Sequence, residues 1–304
     1  MSTVKTKITN SDALGFLKKQ ASSEISRFEH IAGGEWSQAF GFSNQGADYI
    51  IRFNKDDDAF KKDKFAHDNY SSLDVPIPKI LEIGSYSDEL FYCISKRAEG
   101  VPLDLLSWDL QLKMIAKEMD VMHAIHKTPI KSNGYGWWLD NGNGFFKSWK
   151  EYILEKKEKL YAEWDSSFRD SFLKKEVIEN AYKEINNLLS YIPEDRYLVH
   201  SDLGWSNEIS DGEKITGVLD WGNSCYGDFL YDVSYKHFWS SDSNFLDRYL
   251  KSVDTNFFSL EHSDERIRCY LLRIGVGVLE FYARSEQKEK YDKAQKRIEG
   301  LLSI

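Results

Sequence analysis

Leu198-Val199-His200-Ser201-Asp202-Leu203-Gly204-Trp205-Ser206-Asn207 decides how this chain of 304 residues reads. A short apolar run delivers a histidine, and Asp202 and Asn207 then sit five positions apart around a tight loop. Eighteen residues beyond Asp202, a second apolar run, Gly217-Val218-Leu219, ends in Asp220-Trp221. Taken singly, Asp202 and Asn207 are ordinary turn residues. As a spaced set with Asp220 they meet the needs of phosphoryl transfer. One carboxylate orients an attacking hydroxyl and accepts its proton, while an amide oxygen and a second carboxylate hold Mg2+ against the phosphates. Hard oxygen ligands suit Mg2+, and few are needed because phosphates and water complete its shell. His200 by itself reads as a structural histidine rather than a proton carrier.

Outward from this segment the texture of the chain changes partway along. From Arg27 to Ser95, short aromatic or β-branched runs (Phe28 to Ile31, Ala39 to Ser43, Tyr49 to Phe53, Lys79 to Ile83, Leu90 to Ser95) alternate with turn signals at Gly33-Gly34, Asn44-Gln45-Gly46 and Gly84-Ser85. A helical stretch, Ala59 to Leu73, stops before Val75-Pro76-Ile77-Pro78, whose prolines force an extended chain. After Gly100 helical spacing dominates: Leu110 to His126, Phe145 to Trp164, Phe172 to Tyr191, Asp228 to Trp239, Asn244 to Phe257, Glu265 to Ala283 and Lys288 to Leu302. The predicted architecture is α+β: a small antiparallel β lobe with one main helix, residues 1–97, and a larger, mostly helical lobe, residues 98–304.

Composition agrees with a folded globular chain. Hydrophobic residues make up 41%, aromatic 14% and charged 29%, with five prolines, which excludes disordered and collagen-like classes. Cys93, Cys225 and Cys269 are odd in number and far apart, forming neither a disulfide framework nor a metal knuckle. The first ten residues lack the apolar core of a signal peptide, and no run of eighteen uncharged apolar residues occurs. A cytoplasmic location is therefore expected. Forty basic against forty-nine acidic side chains give a formal charge of −9, which repels nucleic acid and favours small cationic partners.

His200-Ser201-Asp202 with Asn207, followed by Leu219-Asp220, resembles the catalytic and metal-binding loops of the aminoglycoside phosphotransferases, relatives of protein kinases. Gly227-Asp228 with Asp232, and Val75 to Leu81, are similar to further segments of that family. Tyr49 to Asn54, Tyr92 to Val101 and Tyr270 to Gly275 look like its hygromycin-B kinase branch. The resemblance covers roughly Arg27 to Tyr282 and implies a bilobal, protein-kinase-like fold. It implies Asp202 as catalytic base, Asn207 and Asp220 as Mg2+ ligands, and His200 and Asp228 as hydrogen-bonding braces of the catalytic loop. The segment Ile31 to Phe40 would cover the phosphates, with Ser37 as a donor. Arg52 would meet the phosphates where protein kinases use Lys, although Asp63 and Asp68 are the only carboxylates in the helix that usually supplies its partner. Phe91 to Gly100 would be the hinge, with the base read by backbone near Ser95 to Ala98. ATP is the default cofactor and GTP stays open.

For the acceptor, Trp205, Asp228, Asp232, Trp239 and Glu280 are the candidate contacts, because carboxylates and aromatic faces suit a hydroxylated, ammonium-bearing sugar. The resemblance implies an antibiotic O-kinase acting on an aminoglycoside-type hydroxyl, hygromycin B first; the oligomeric state stays open, with a monomer favoured. The alternatives are a kinase of the same fold for another small hydroxylated metabolite or a macrolide, and a catalytically silent nucleotide-binding protein. Gly275-Val276-Gly277-Val278 is more apolar than a drug-binding carboxylate position would be.

Overall fold

The computed structural model describes residues 8–20, 24–31, 37–139, 141–240 and 244–303. In chain order the elements are α1 (Asn10–Gln20), β1 (Ile25–Ile31), β2 (Gln38–Asn44), β3 (Ala47–Asn54), α2 (Asp58–Tyr70), β4 (Ile80–Ser87), β5 (Leu90–Lys96), β6 (Val101–Pro102) and α3 (Trp108–Lys127). Then come β7 (Tyr135–Trp138), β8 (Gly144–Phe146), α4 (Trp149–Ala162), α5 (Lys175–Leu188), β9 (Tyr197–Val199), β10 (Glu208–Ser210), β11 (Ile215–Val218), β12 (Cys225–Gly227), α6 (Leu230–Trp239), α7 (Phe245–Ser252), α8 (Ser263–Arg284) and α9 (Lys288–Leu302). Internal contacts group these into two units: Met1–Val121 with Trp205–Asn223, and Met122–Gly204 with Ser224–Ile304. The first unit thus takes in residues 98–121 and the β10–β11 hairpin, beyond the span 1–97 expected for the β-rich lobe.

In the first unit, five strands form an antiparallel sheet in the order β1-β2-β3-β5-β4. The β2–β3 hairpin closes on Gln45-Gly46, both at positive φ (51° and 79°), the geometry whose twist matches flanking strands. Strand alternation then sorts the side chains. Phe40, Phe42, Ile51, Phe53 and Tyr92 gather with Ala13 and Leu17 of α1 in one cluster. Arg52 and its cross-strand neighbour Cys93 point the other way, where Phe60 of α2 packs with Ile80 and Cys93. Beside α2, the shorter α1 also packs on this sheet. The short stripe of α1 escapes a periodicity reading, and α2 ends at Tyr70, three residues before the exposed Leu73.

A second, three-stranded sheet in the same unit, β11-β10-β6, ties the segment after β5 to the β10–β11 hairpin. Two glycines permit the approach. A Cβ on Gly217 would stand 2.6 Å from the Ala98 Cβ, and one on Gly100, at φ 106°, 2.0 Å from the Ser210 carbonyl oxygen. The Thr216 hydroxyl donates to the Glu99 carbonyl across the same seam.

In the second unit, a four-stranded sheet, β8-β7-β12-β9, accompanies the helices. Strand β8 takes residues 144–146, so the helix expected from Phe145 starts only at Trp149, with Ser148 accepting from the Glu151 amide as its cap. The central element is α8, buried along most of its 22 residues. Among the described residues no helix is long and apolar enough to cross a membrane.

Candidate functional site

In the first unit, Arg52 reaches from β3 to Asp63 on α2, Nη2 to Oδ2 at 2.5 Å, with its guanidinium 5.1 Å from the centroid of the Phe60 ring. Burial works against the charge of Arg52, but Asp63 beside it, helped by Cys93 and Asp220, outweighs burial and raises the guanidinium above its ordinary value. The other oxygen of Asp63 accepts from the Trp221 amide at 2.8 Å, and Lys62 donates to the Gly222 carbonyl at 3.2 Å. One turn of α2 therefore grips both the basic side chain and the loop that begins at Asp220.

Asn207 and Asp220 meet through the β10–β11 ladder. Glu208 pairs with Val218, so the next residues outward, Asn207 and Leu219, face each other, and the Leu219 amide donates to the Asn207 carbonyl at 2.8 Å. Asp220 follows at once, in a left-handed conformation (φ 63°) that is uncommon outside glycine and that recurs at functional positions. Two hard oxygen donors on neighbouring strand ends fit Mg2+, with the rest of its shell coming from phosphate and water. Among the described residues no three His, Cys, Asp or Glu side chains gather as a self-sufficient metal centre. Ser37 stands just ahead of β2, half-buried; Gly33, Gly34 and the rest of the expected phosphate loop up to Trp36 lie outside the described residues. Ser95 is buried on β5, and the Lys96 and Arg97 amides after it are committed to the Lys79 and Asp48 carbonyls. Ala98 rests against Gly217.

In the second unit, Asp202 follows Ser201, which is itself left-handed (φ 64°). The Asp202 amide donates to Nδ1 of the buried His200 at 3.3 Å. The main brace of this loop is Asp232 on α6. Wholly buried, it accepts from the His200 amide (2.8 Å), the Ser201 amide (2.7 Å) and His126 Nε2–H (3.0 Å). Three donors offset the cost of burying that carboxylate, and they turn Asp232 inward, away from the acceptor role suggested for it. Asp228, expected to brace the loop, instead takes a two-pronged bond from Arg266 (2.8 and 2.6 Å) and one from the Tyr270 hydroxyl (2.6 Å), which locks it to α8. Sequence cannot separate these two aspartates, because they stand four residues apart around the start of one helix and only the packing shows what each faces.

The other acceptor candidates divide similarly. Glu280 is buried between Lys156 (3.1 Å) and Arg284 (3.0 Å), which hold its carboxyl below the usual value although burial opposes them. Trp239 is 46% exposed and borders a cavity of about 270 Å3 with Phe238, Tyr282, Lys290, Lys293, Ala294 and Arg297. Among the described residues its charged lining is three cations, Lys290, Lys293 and Arg297. Trp205 is half-buried in the first unit. A residue that sequence reasoning passed over is Tyr235: its hydroxyl donates to Asp202 Oδ1 at 2.7 Å. Its only signal in the sequence is its place three residues after Asp232, on the same helical face.

A profile of the phosphotransferase enzyme family (APH) matches residues 28–261. The hygromycin-B 4-O-kinase of Escherichia coli is 32% identical over 262 residues, 84% of this chain and 74% of that protein. Among solved structures, aminoglycoside phosphotransferase APH(4)-Ia superposes with a TM-score of 0.86 at 28% identity, covering 97% of this chain and 99% of that one. A thermostable mutant of it, in ternary complex with AMP-PNP and hygromycin B, gives 0.84 at 29% identity, covering 96% and 98%. Choline kinase LicA from Streptococcus pneumoniae shares the fold alone, with a TM-score of 0.66 at 14% identity over 96% of this chain and 97% of that one. The α+β fold is thus protein-kinase-like.

Proposed function

The chain belongs to the phosphotransferase enzyme family, and from that premise we propose that it transfers the γ-phosphate of ATP, or of GTP, to a hydroxyl of an aminoglycoside-type antibiotic. Hygromycin B is the first candidate, and its phosphorylation would confer resistance. The observation that carries the reading is the hairpin that sets Asn207 beside Leu219-Asp220 while the same continuous loop holds Asp202 five residues upstream. Its likeness to hygromycin-B 4-O-kinase supports the choice of acceptor.

In this reading Asp202 orients the acceptor hydroxyl and takes its proton. Asn207 and Asp220 hold Mg2+, which when bound neutralises charge on the phosphates. Arg52, kept in place by Asp63, meets the phosphates with a planar fork of donors. Ser37 donates to them, and the backbone from Ser95 to Ala98 reads the base. His200 and Asp232 keep the loop in one shape from behind. Residues 1–97 act as the nucleotide-binding lobe and 98–304 as the catalytic and acceptor-binding lobe, in a monomer. The reading includes a cytoplasmic location, where nucleoside triphosphate is supplied and three free thiols persist.

One observation favours a second acceptor class: the cation-lined cavity beside Trp239 suits a hydroxylated metabolite that carries an acid group. Initial rates with Mg-ATP and Mg-GTP across hygromycin B, other aminoglycosides, a macrolide and acidic sugars, with the phosphate position mapped in the product, test both. Turnover of hygromycin B is expected. Nucleotide binding without turnover of any acceptor would sink the enzyme reading.

A further inference from the structure

We propose that Tyr235 is a positioning residue for the transfer step, holding the Asp202 carboxylate by Oδ1. The inference rests on the reading of Asp202 as the proton acceptor. The Tyr235 hydroxyl lies 2.7 Å from Asp202 Oδ1, a charge-assisted length. The Trp239 ring lies 6.4 Å from the Tyr235 ring, centroid to centroid. Asp232, Tyr235 and Trp239 are spaced i, i+3 and i+7 on α6, so they share one face of the helix. That face grips the catalytic loop twice: Asp232 takes the amides of His200 and Ser201, and Tyr235 takes the side chain of Asp202.

A carboxylate on a loop rotates about its Cβ–Cγ bond, and a proton acceptor must face its donor in one orientation. The phenol removes that freedom. It also remains a donor at neutral pH. Burial and the Asp202 carboxylate raise its ionisation well above the ordinary value; the groups facing it are Asp202 from the loop and Tyr231 and Trp239 from its own helix.

The test uses the full chain with Mg-ATP and hygromycin B. Tyr235→Phe keeps the ring and is expected to lower kcat on the order of 10-fold, the scale of one hydrogen bond to a charged group. The nucleotide KM and the melting temperature should stay unchanged, and 4-aminophenylalanine at this position, which restores a donor, should recover most of the rate. In the Asp202→Asn background the same change should cost nothing further. A readout free of activity is the 19F resonance of 3-fluorotyrosine placed at 235, which should titrate at lower pH once Asp202→Asn is introduced. A Tyr235→Phe rate within twofold of the parent, or a titration indifferent to Asp202, overturns the positioning role while leaving Asp202 as base. Near-normal turnover by Asp202→Asn overturns both.

Discussion

Arg52 and Asp63 pair across 2.5 Å between β3 and α2, a long base with a short acid where protein kinases join a shorter base, Lys, to a longer acid, Glu. Both partners are exchanged, and the changes in reach run in opposite directions, so the helix can stay close to the strand. Asp63 spends its second oxygen on the Trp221 amide, which links the pair to the loop starting at Asp220.

Length compensation has a direct consequence. Arg52→Lys alone should raise the nucleotide KM about 10-fold, because a lysine leaves Asp63 short of a partner; this is the scale of one charge-assisted hydrogen bond. Arg52→Lys with Asp63→Glu should recover much of it. Steady-state kinetics of the two singles and the double provide the cycle, and strictly additive losses would contradict compensation.

Asp202→Asn should lower turnover by about 10²- to 10⁴-fold, the usual range for a positioned general base, with nucleotide affinity nearly intact. Asp220→Ala should instead abolish the Mg2+ dependence of nucleotide binding. Paired kinetics and calorimetry separate the two roles, and a shared phenotype would contradict the division of labour.

Removing Asp228 should act on folding. It is fully buried with bonds from Arg266 and Tyr270, so Asp228→Ala strands a buried guanidinium and should cost about 3–5 kcal/mol of unfolding free energy. Asp228→Asn, which keeps the shape, should lose less. Urea midpoints at constant m-value are the measurement.

Glu280 makes a pH-dependent contribution of known sign. Burial opposes its charge, yet Lys156 and Arg284 hold the carboxyl below its ordinary value of 4.5. A depressed carboxyl stabilises the fold above its unfolded-state value and loses that contribution as pH falls through the folded-state value. The parent's melting temperature should therefore fall on acidification below about pH 4.5 more steeply than that of Glu280→Gln. Parallel curves would show that the carboxylate contributes nothing.

Asp202, Asn207 and Asp220 could be singled out in the sequence, because their spacing along loops and strand ends is a local property: a set five and eighteen positions apart needs no long-range packing to be noticed. The five strands of the first sheet were legible for the same reason, since a period of two and a two-residue turn are local properties. The partner of Arg52, the exchange of roles between Asp228 and Asp232, the burial of Glu280 and the grip of Tyr235 on Asp202 were decided only by tertiary structure. Each depends on which face of a helix meets a segment tens of residues away. One-dimensional periodicity says that such a face exists and does not say what it meets.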